Sequence, residues 1–272
     1  STMKNLKHII QNVQVNIPFS MLYESYLAVF LENGLNPEIG LDAGALDRFS
    51  IAEFTGIAKE FRLQSRTVTL HGPFIDLNPG SPDSAVRRLT RRRMEQVLEL
   101  VPVYRPLSVV CHANFDERRY GYFKETWLEN SLEFWNWMAD RIAKYDTLLM
   151  LENVYERGPQ DLKIIFEKLG HPNVGFCLDT GHTAAFGQSG LGEWIEVLGP
   201  FLGQLHLHDN FGGHDDHLAI GSGIIEFNKL FKYLENSNYP APIVTLEPHE
   251  EKHLRPSLEY LAEHWPWYRE PN

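Results

Sequence analysis

The stretch "GQLHLHDNFGGHDDHLAIGSG", residues 203–223, holds His206, His208, Asp209, His214, Asp215, Asp216 and His217 within a dozen positions. A solvated loop needs polarity, but it does not need imidazole. Imidazole beside carboxylate is the donor set that zinc and related divalent cations take from proteins. A polar turn with a few hydrogen-bonded histidines would carry the same letters. What decides between them is which other side chains the chain brings to the same place.

The elements that must do this recur with one rhythm. Eight short apolar, β-branched runs appear: "VQVNIP", "PEIGLD", "RTVTLHG", "LSVVCHA", "TLLMLENV", "VGFCLDTGH", "LGQLHLHD" and "APIVTLEPH". Between them lie segments with helical spacing, from "SMLYESYLAVFLEN" and "SIAEFTGIAKEFRL" through "DSAVRRLTRRRMEQVLELV" and "WLENSLEFWNWMADRIAKY" to "PQDLKIIFEKLG", "GLGEWIEVLG", "FNKLFKYLEN" and "RPSLEYLAEHW". Continuous apolar strands alternating with helices predict parallel strands covered by helices. Eight such units in 272 residues predict an α/β fold of the single (β/α)8 barrel type. A doubly wound open sheet fits less well, because no glycine-rich phosphate turn follows the first strand.

In a parallel barrel the chemistry sits at the C-terminal ends of the strands. The third strand ends on His71, the fourth on His112 and the fifth on Glu152. The sixth delivers Asp179 and His182, the seventh His206 with Asp215 and His217 in its loop, and the eighth Glu247. A lone strand-end histidine is usually a packed or rim residue. Six consecutive strands, each bringing an imidazole or carboxylate to one rim, point to a metal centre.

Composition bounds the partners. Hydrophobic residues make up 43% and charged residues 22%, as in an ordinary folded protein. No composition shift or linker divides the chain, so residues 1–272 are expected to form one domain, with Ser1 and Thr2 ahead of Met3 read as a cloning remnant. A net charge of -11 disfavours nucleic acid as a partner. Cys111 and Cys177 lie in separate apolar runs, so no disulfide framework is expected, and no apolar run is long enough to span a bilayer. The expectation is a cytoplasmic enzyme acting on a small molecule, with the oligomeric state open.

The motifs "LHGPF", "VVCHAN", "LENV", "CLDTGH", "LHLHD", "DDHLAIGSG" and "TLEPH" occur in order over roughly residues 13–250. This series resembles the xylose isomerase-like TIM-barrel superfamily, which includes endonuclease IV and the sugar epimerases. The resemblance to endonuclease IV implies three zinc ions held by His71, His112, Glu152, Asp179, His182, His206, Asp215, His217 and Glu247. The resemblance to the epimerases implies one divalent ion on Glu152, Asp179, His206 and Glu247 alone. "DTGH" stands where the endonucleases often have "DTCH", and Ala-Asn follows His112 where they usually have Pro-Gly. These departures bear on DNA repair more than on metal binding. The region "HLHDNFGGHDDHLAIGSG" is also similar to cobamide-remodelling phosphodiesterases, which implies a cobamide nucleotide loop as a candidate substrate.

The two ligand sets imply different chemistry. Nine ligands with four carboxylates carry about -4 charges, which two or three divalent ions offset or exceed. Such a cluster suits a phosphodiester, whose oxygens gain charge during in-line attack. Four ligands leave one ion among three carboxylates, roughly neutral to negative, suited to an uncharged sugar with Glu152 and Glu247 moving a proton on opposite faces. The extra histidines favour a hydrolase using zinc, with manganese or iron as alternatives, and a phosphorylated small molecule as substrate. A non-catalytic barrel that senses or stores metal would explain the ligands but not the carboxylates placed for acid–base work.

Other residues receive plainer expectations. His208 and Asp209 are expected to hydrogen-bond and orient the ligands. His214 and Asp216 are expected to face solvent, with Asp215 and His217 pointing together from an extended segment. Gly221 and Gly223 should turn the backbone beneath the site, and His8, His171, His249, His253 and His264 receive no role. Arg87, Arg88, Arg91 and Arg92 read as a solvated helix face, with an anion contact as the alternative. Trp127, Phe134, Trp135 and Trp137 read as helix-to-barrel packing or a subunit contact.

Overall fold

A computed structural model describes residues 6–267, so Ser1 and Thr2 lie outside the described residues. Eight parallel strands close a barrel in sequence order: β1 (Val13–Pro18), β2 (Asn36–Gly40), β3 (Thr69–His71), β4 (Ser108–His112), β5 (Leu148–Glu152), β6 (Val174–Asp179), β7 (Leu202–Leu207) and β8 (Ile243–Leu246). Strands covered on both faces should be apolar throughout. β6 shows this, with Gly175 to Asp179 all buried.

The covering helices are α1 (Leu27–Asn33), α2 (Ile51–Leu63), α3 (Ser84–Tyr104), α4 (Lys124–Ala143), α5 (Gln160–Leu169), α6 (Leu191–Leu198), α7 (Phe227–Glu235) and α8 (Leu254–His264). All eight expected helical segments are present. The first is interrupted: a wide π turn over Leu22–Tyr26 precedes α1. Local chemistry starts several helices. Ser50 and Glu53 form a reciprocal capping box at α2, and Asp83 accepts from the Ala85 amide at α3.

Trp127, Phe134 and Trp135 are buried against the barrel, so they are packing residues. The arginine run is largely occupied by its own neighbourhood. Arg87 donates to the carbonyls of Ser81 and Pro82, Arg88 to the Ser84 hydroxyl, and Arg91 lies 4.0 Å from the Trp137 ring centre. Among the described residues no helix is long and apolar enough to cross a membrane.

Register fixes the depth of each site residue. Gly40 pairs with His71, His112 with Glu152, and Asp179 with His206. These neighbouring positions set a ring at the C-terminal mouth. Glu38 pairs with Thr69, two residues deeper on β2, and Gln204 lies two residues deeper than His206 on β7.

Candidate metal centre

All nine expected ligands gather at this mouth, in three adjoining groups. In the first, His71 Nε2 lies 3.0 Å and His112 Nε2 3.5 Å from the same Glu152 oxygen, Oε2. In the second, His206 Nδ1 faces Glu152 Oε1 at 3.3 Å, Glu247 Oε1 at 3.2 Å and Asp179 Oδ2 at 3.8 Å. In the third, His182 Nε2 and His217 Nε2 lie 3.2 and 3.0 Å from a single oxygen, Asp215 Oδ2. Glu152 therefore turns one oxygen to the first group and the other to the second.

Each element has a local reason for its aim. Asp179 ends β6 and caps the short helix Thr180–Ala185, accepting the His182 amide at 2.8 Å. That cap folds the chain back, so one motif supplies two side chains to the mouth. Asp209 does different work from the candidate ligands beside it. Its buried carboxylate accepts the amides of Gly221, Gly223 and Ile225 at 3.1, 2.8 and 3.1 Å and pins the loop that carries Asp215 and His217. Asp215 and His217 do converge, while His214 and Asp216 are exposed. The convergence does not come from strand alternation. His217 has φ of 51°, in the left-handed region, so a turn swings its ring onto Asp215.

The hydrogen bonds test whether cations fit. A carbonyl oxygen can only accept, so a ring nitrogen touching one must carry the proton. His71 Nδ1 meets Gly72 O at 2.8 Å, His182 Nδ1 meets Asn153 O at 2.8 Å, and His217 Nδ1 meets Glu247 O at 3.1 Å. In its neutral form each ring would then turn a bare Nε2 lone pair toward a carboxylate oxygen. Two acceptors face each other at about 3 Å in all three places, which only a proton or a metal cation between them relieves. Among the described residues no Lys or Arg pairs with Glu152, Asp179, Asp215 or Glu247; their ion-pair partners are all imidazoles. His206 Nδ1 and Asp215 Oδ1 are also buried without a hydrogen-bond partner. The donor set fits divalent cations.

The electrostatics agree. Burial lowers every buried imidazole here, and at His112 and His208 it wins, holding both at about 3. At four others burial is outweighed by neighbouring carboxylates, joined at His206 by Cys177: His71 lies above its ordinary value, His182 and His206 well above, and His217 at about 9. Burial would raise Glu152, yet His206 and His112 hold it well below the carboxylate range. Asp179, by contrast, is pushed up to about 7, chiefly by burial.

Three residues beyond the nine belong to the site. His208 Nε2 lies 2.9 Å from both oxygens of Asp179, so it orients that carboxylate. Its ring stacks on His217 at 3.8 Å, and His249 stacks on the other side of His217 at 3.4 Å. His249 thus has a place that its sequence position alone did not assign; its spacing of two from Glu247 was the available signal. Glu38 is fully buried, with Oε2 2.9 Å from His206 Nε2. It sits in mid-strand, where no rim argument reaches it.

The family model described as "Xylose isomerase-like TIM barrel" matches residues 26–267, and the chain belongs to that family. The TTHB071 protein from Thermus thermophilus, in a structure from crystals soaked with ZnCl2, superposes with a TM-score of 0.80 and 26% identity, covering 95% of this chain and 99% of that one. A probable endonuclease 4 of Mycobacterium leprae is 26% identical over 194 residues, 66% of this chain and 73% of the relative. A D-tagatose 3-epimerase-like protein shares the fold, with a TM-score of 0.78 and 22% identity over 92% of this chain and 96% of that one.

Proposed function

We propose that this chain is a metal-dependent hydrolase that cleaves a phosphodiester in a small or medium-sized metabolite. The observation that carries the reading is the third group. Asp215 Oδ2 sits between the Nε2 atoms of His182 and His217, beside a centre that an isomerase would need alone. His71, His112, Glu152, Asp179, His182, His206, Asp215, His217 and Glu247 would hold two or three divalent ions, with zinc first and manganese or iron as alternatives. A cobamide nucleotide loop is a candidate substrate.

Bound cations would supply charge for the phosphoryl oxygens and an acidified water. The chain's own residues do the rest. The carbonyls of Gly72, Asn153 and Glu247 fix three rings so that each Nε2 faces inward. Glu152 spans two groups and holds them at a fixed separation. Glu247, which burial holds above its ordinary value, lies 3.2 Å from His206 and 3.4 Å from His208, where it can take up a proton. The acidic surface suits a small substrate better than a nucleic acid.

A second reading, a sugar isomerase or epimerase with one ion and a Glu152/Glu247 acid–base pair, is supported by the convergence of Glu152, Asp179 and Glu247 on His206 Nδ1. One experiment separates the two. The zinc- and manganese-loaded protein is assayed against bis(p-nitrophenyl) phosphate and against a panel of ketoses, alongside elemental analysis. Phosphodiester cleavage with two or three ions per chain is expected. Ketose epimerisation with one ion per chain overturns the hydrolase.

A further inference from the structure

We infer that Glu38 is a positioning residue: it holds the proton on His206 Nε2, so that Nδ1 is the atom His206 offers to a divalent cation. The inference needs only a cation at His206, which both functional readings share.

Glu38 lies on β2 beneath the ring of ligands and is 0% exposed. Its carboxylate meets two donors. Oε1 is in hydrogen-bond geometry with His206 Nε2 at 3.2 Å and accepts the Gln204 side-chain amide at 2.9 Å, while Oε2 lies 2.9 Å from the same His206 nitrogen outside that geometry. The Gln204 amide is itself oriented. Its oxygen accepts from the Ser108 hydroxyl at 2.6 Å, which turns its NH2 toward Glu38 and the Thr245 hydroxyl. Among the described residues no Lys or Arg pairs with Glu38, and its ion-pair partner is His206. A neutral His206 has one N–H to give, and Nε2 is where an acceptor waits for it.

The same residues could suggest that Glu38 is itself a ligand. The two faces of the imidazole argue otherwise. Three carboxylates, from Glu152, Asp179 and Glu247, lie within 3.8 Å of Nδ1, on the open side of the ring. Nε2 points the other way, into the packed interior, where Glu38 and Gln204 fill the space. An ion collecting the three carboxylates takes Nδ1, and Glu38 acts on it only through the ring. A carboxylate accepting the distal N–H fixes the tautomer and makes the ligating nitrogen more basic.

The test uses the full chain and reads zinc rather than turnover. Competition with a chromophoric chelator gives the zinc affinities of wild type, Glu38→Gln and Glu38→Leu, with thermal unfolding recorded for each. The expected result is a loss of about 10- to 100-fold for one ion in Glu38→Leu, with the remaining ions unchanged. Glu38→Gln keeps a neutral acceptor and should fall between. In zinc-loaded wild type, nitrogen-15 spectra of the His206 ring should place the proton on Nε2 and leave Nδ1 unprotonated. Unchanged affinities in both variants, or a wild-type ring protonated on Nδ1, overturn the proposal. If Glu38→Leu does not fold, Glu38→Gln and the wild-type spectrum still decide.

Discussion

The imidazole of His208 lies over Gly181, in the space that a Cβ at that position would occupy. The glycine of "DTGH" is therefore spatially matched to the second histidine of "HLHD". His208 in turn steadies Asp179 through two contacts of 2.9 Å. Gly181 sits inside the short helix Thr180–Ala185, where alanine would by propensity be better by roughly 1 kcal/mol. The overlap should win, because overpacking a buried site costs about 1–3 kcal/mol. Gly181→Ala is expected to lower the melting temperature, and adding His208→Ala should restore most of the loss. A Gly181→Ala protein more stable than wild type would refute the match.

Glu152 is expected to tie two ions together. Replacing it by Gln keeps the shape but removes the charge that faces His71 and His112 on one side and His206 on the other. Elemental analysis should find at least one ion fewer per chain than in His71→Ala. Activity should fall by orders of magnitude, on the scale of losing a principal electrostatic contribution, about 100- to 1000-fold or more. Full occupancy in Glu152→Gln would remove the bridging role.

Asp215 and His217 sit on a loop held chiefly by Asp209, outside the strands. The double change Asp215→Ala with His217→Ala should therefore strip one ion and leave circular dichroism and the barrel's unfolding nearly unchanged. Cleavage of bis(p-nitrophenyl) phosphate should vanish, whereas a four-ligand isomerase would keep most of its turnover. Asp216→Ala should be close to neutral, since its side chain is exposed. Damage from Asp216→Ala equal to that of the double change would show that the loop presents the wrong residue.

Metal loading should release protons. In the metal-free protein His217 is held at about 9 and His182 and His206 well above their ordinary value, because carboxylate neighbours, and at His206 also Cys177, outweigh burial. These rings carry protons at pH 7, and a cation must displace them. Raised values mean the proton competes through the neutral range, so apparent zinc affinity should climb with pH until about 9 and fall away in acid. Titrating zinc into weakly buffered protein at pH 7 and measuring acid release checks this. No release at pH 7 would show that the rings are already neutral.

Much of this molecule is decided by the sequence alone. The eight strands and eight covering helices follow from apolar period and turn chemistry, which act over a few residues. Because parallel strands end at one mouth, the identities of His71, His112, Glu152, Asp179, His206 and Glu247 at those ends already mark the candidate site. What the sequence leaves undecided depends on barrel closure. Glu38 and His206 are 168 residues apart, and only the register of β1, β2, β7 and β8 brings them within hydrogen-bonding distance. Likewise, nothing local says that Gly181 must be small for His208, that Asp209 pins a loop rather than binding an ion, or that a left-handed turn aims His217. Residue types and spacing determine which donors reach the mouth; cross-strand register and loop closure decide which nitrogen faces which oxygen, because those distances are set by strands far apart in the chain.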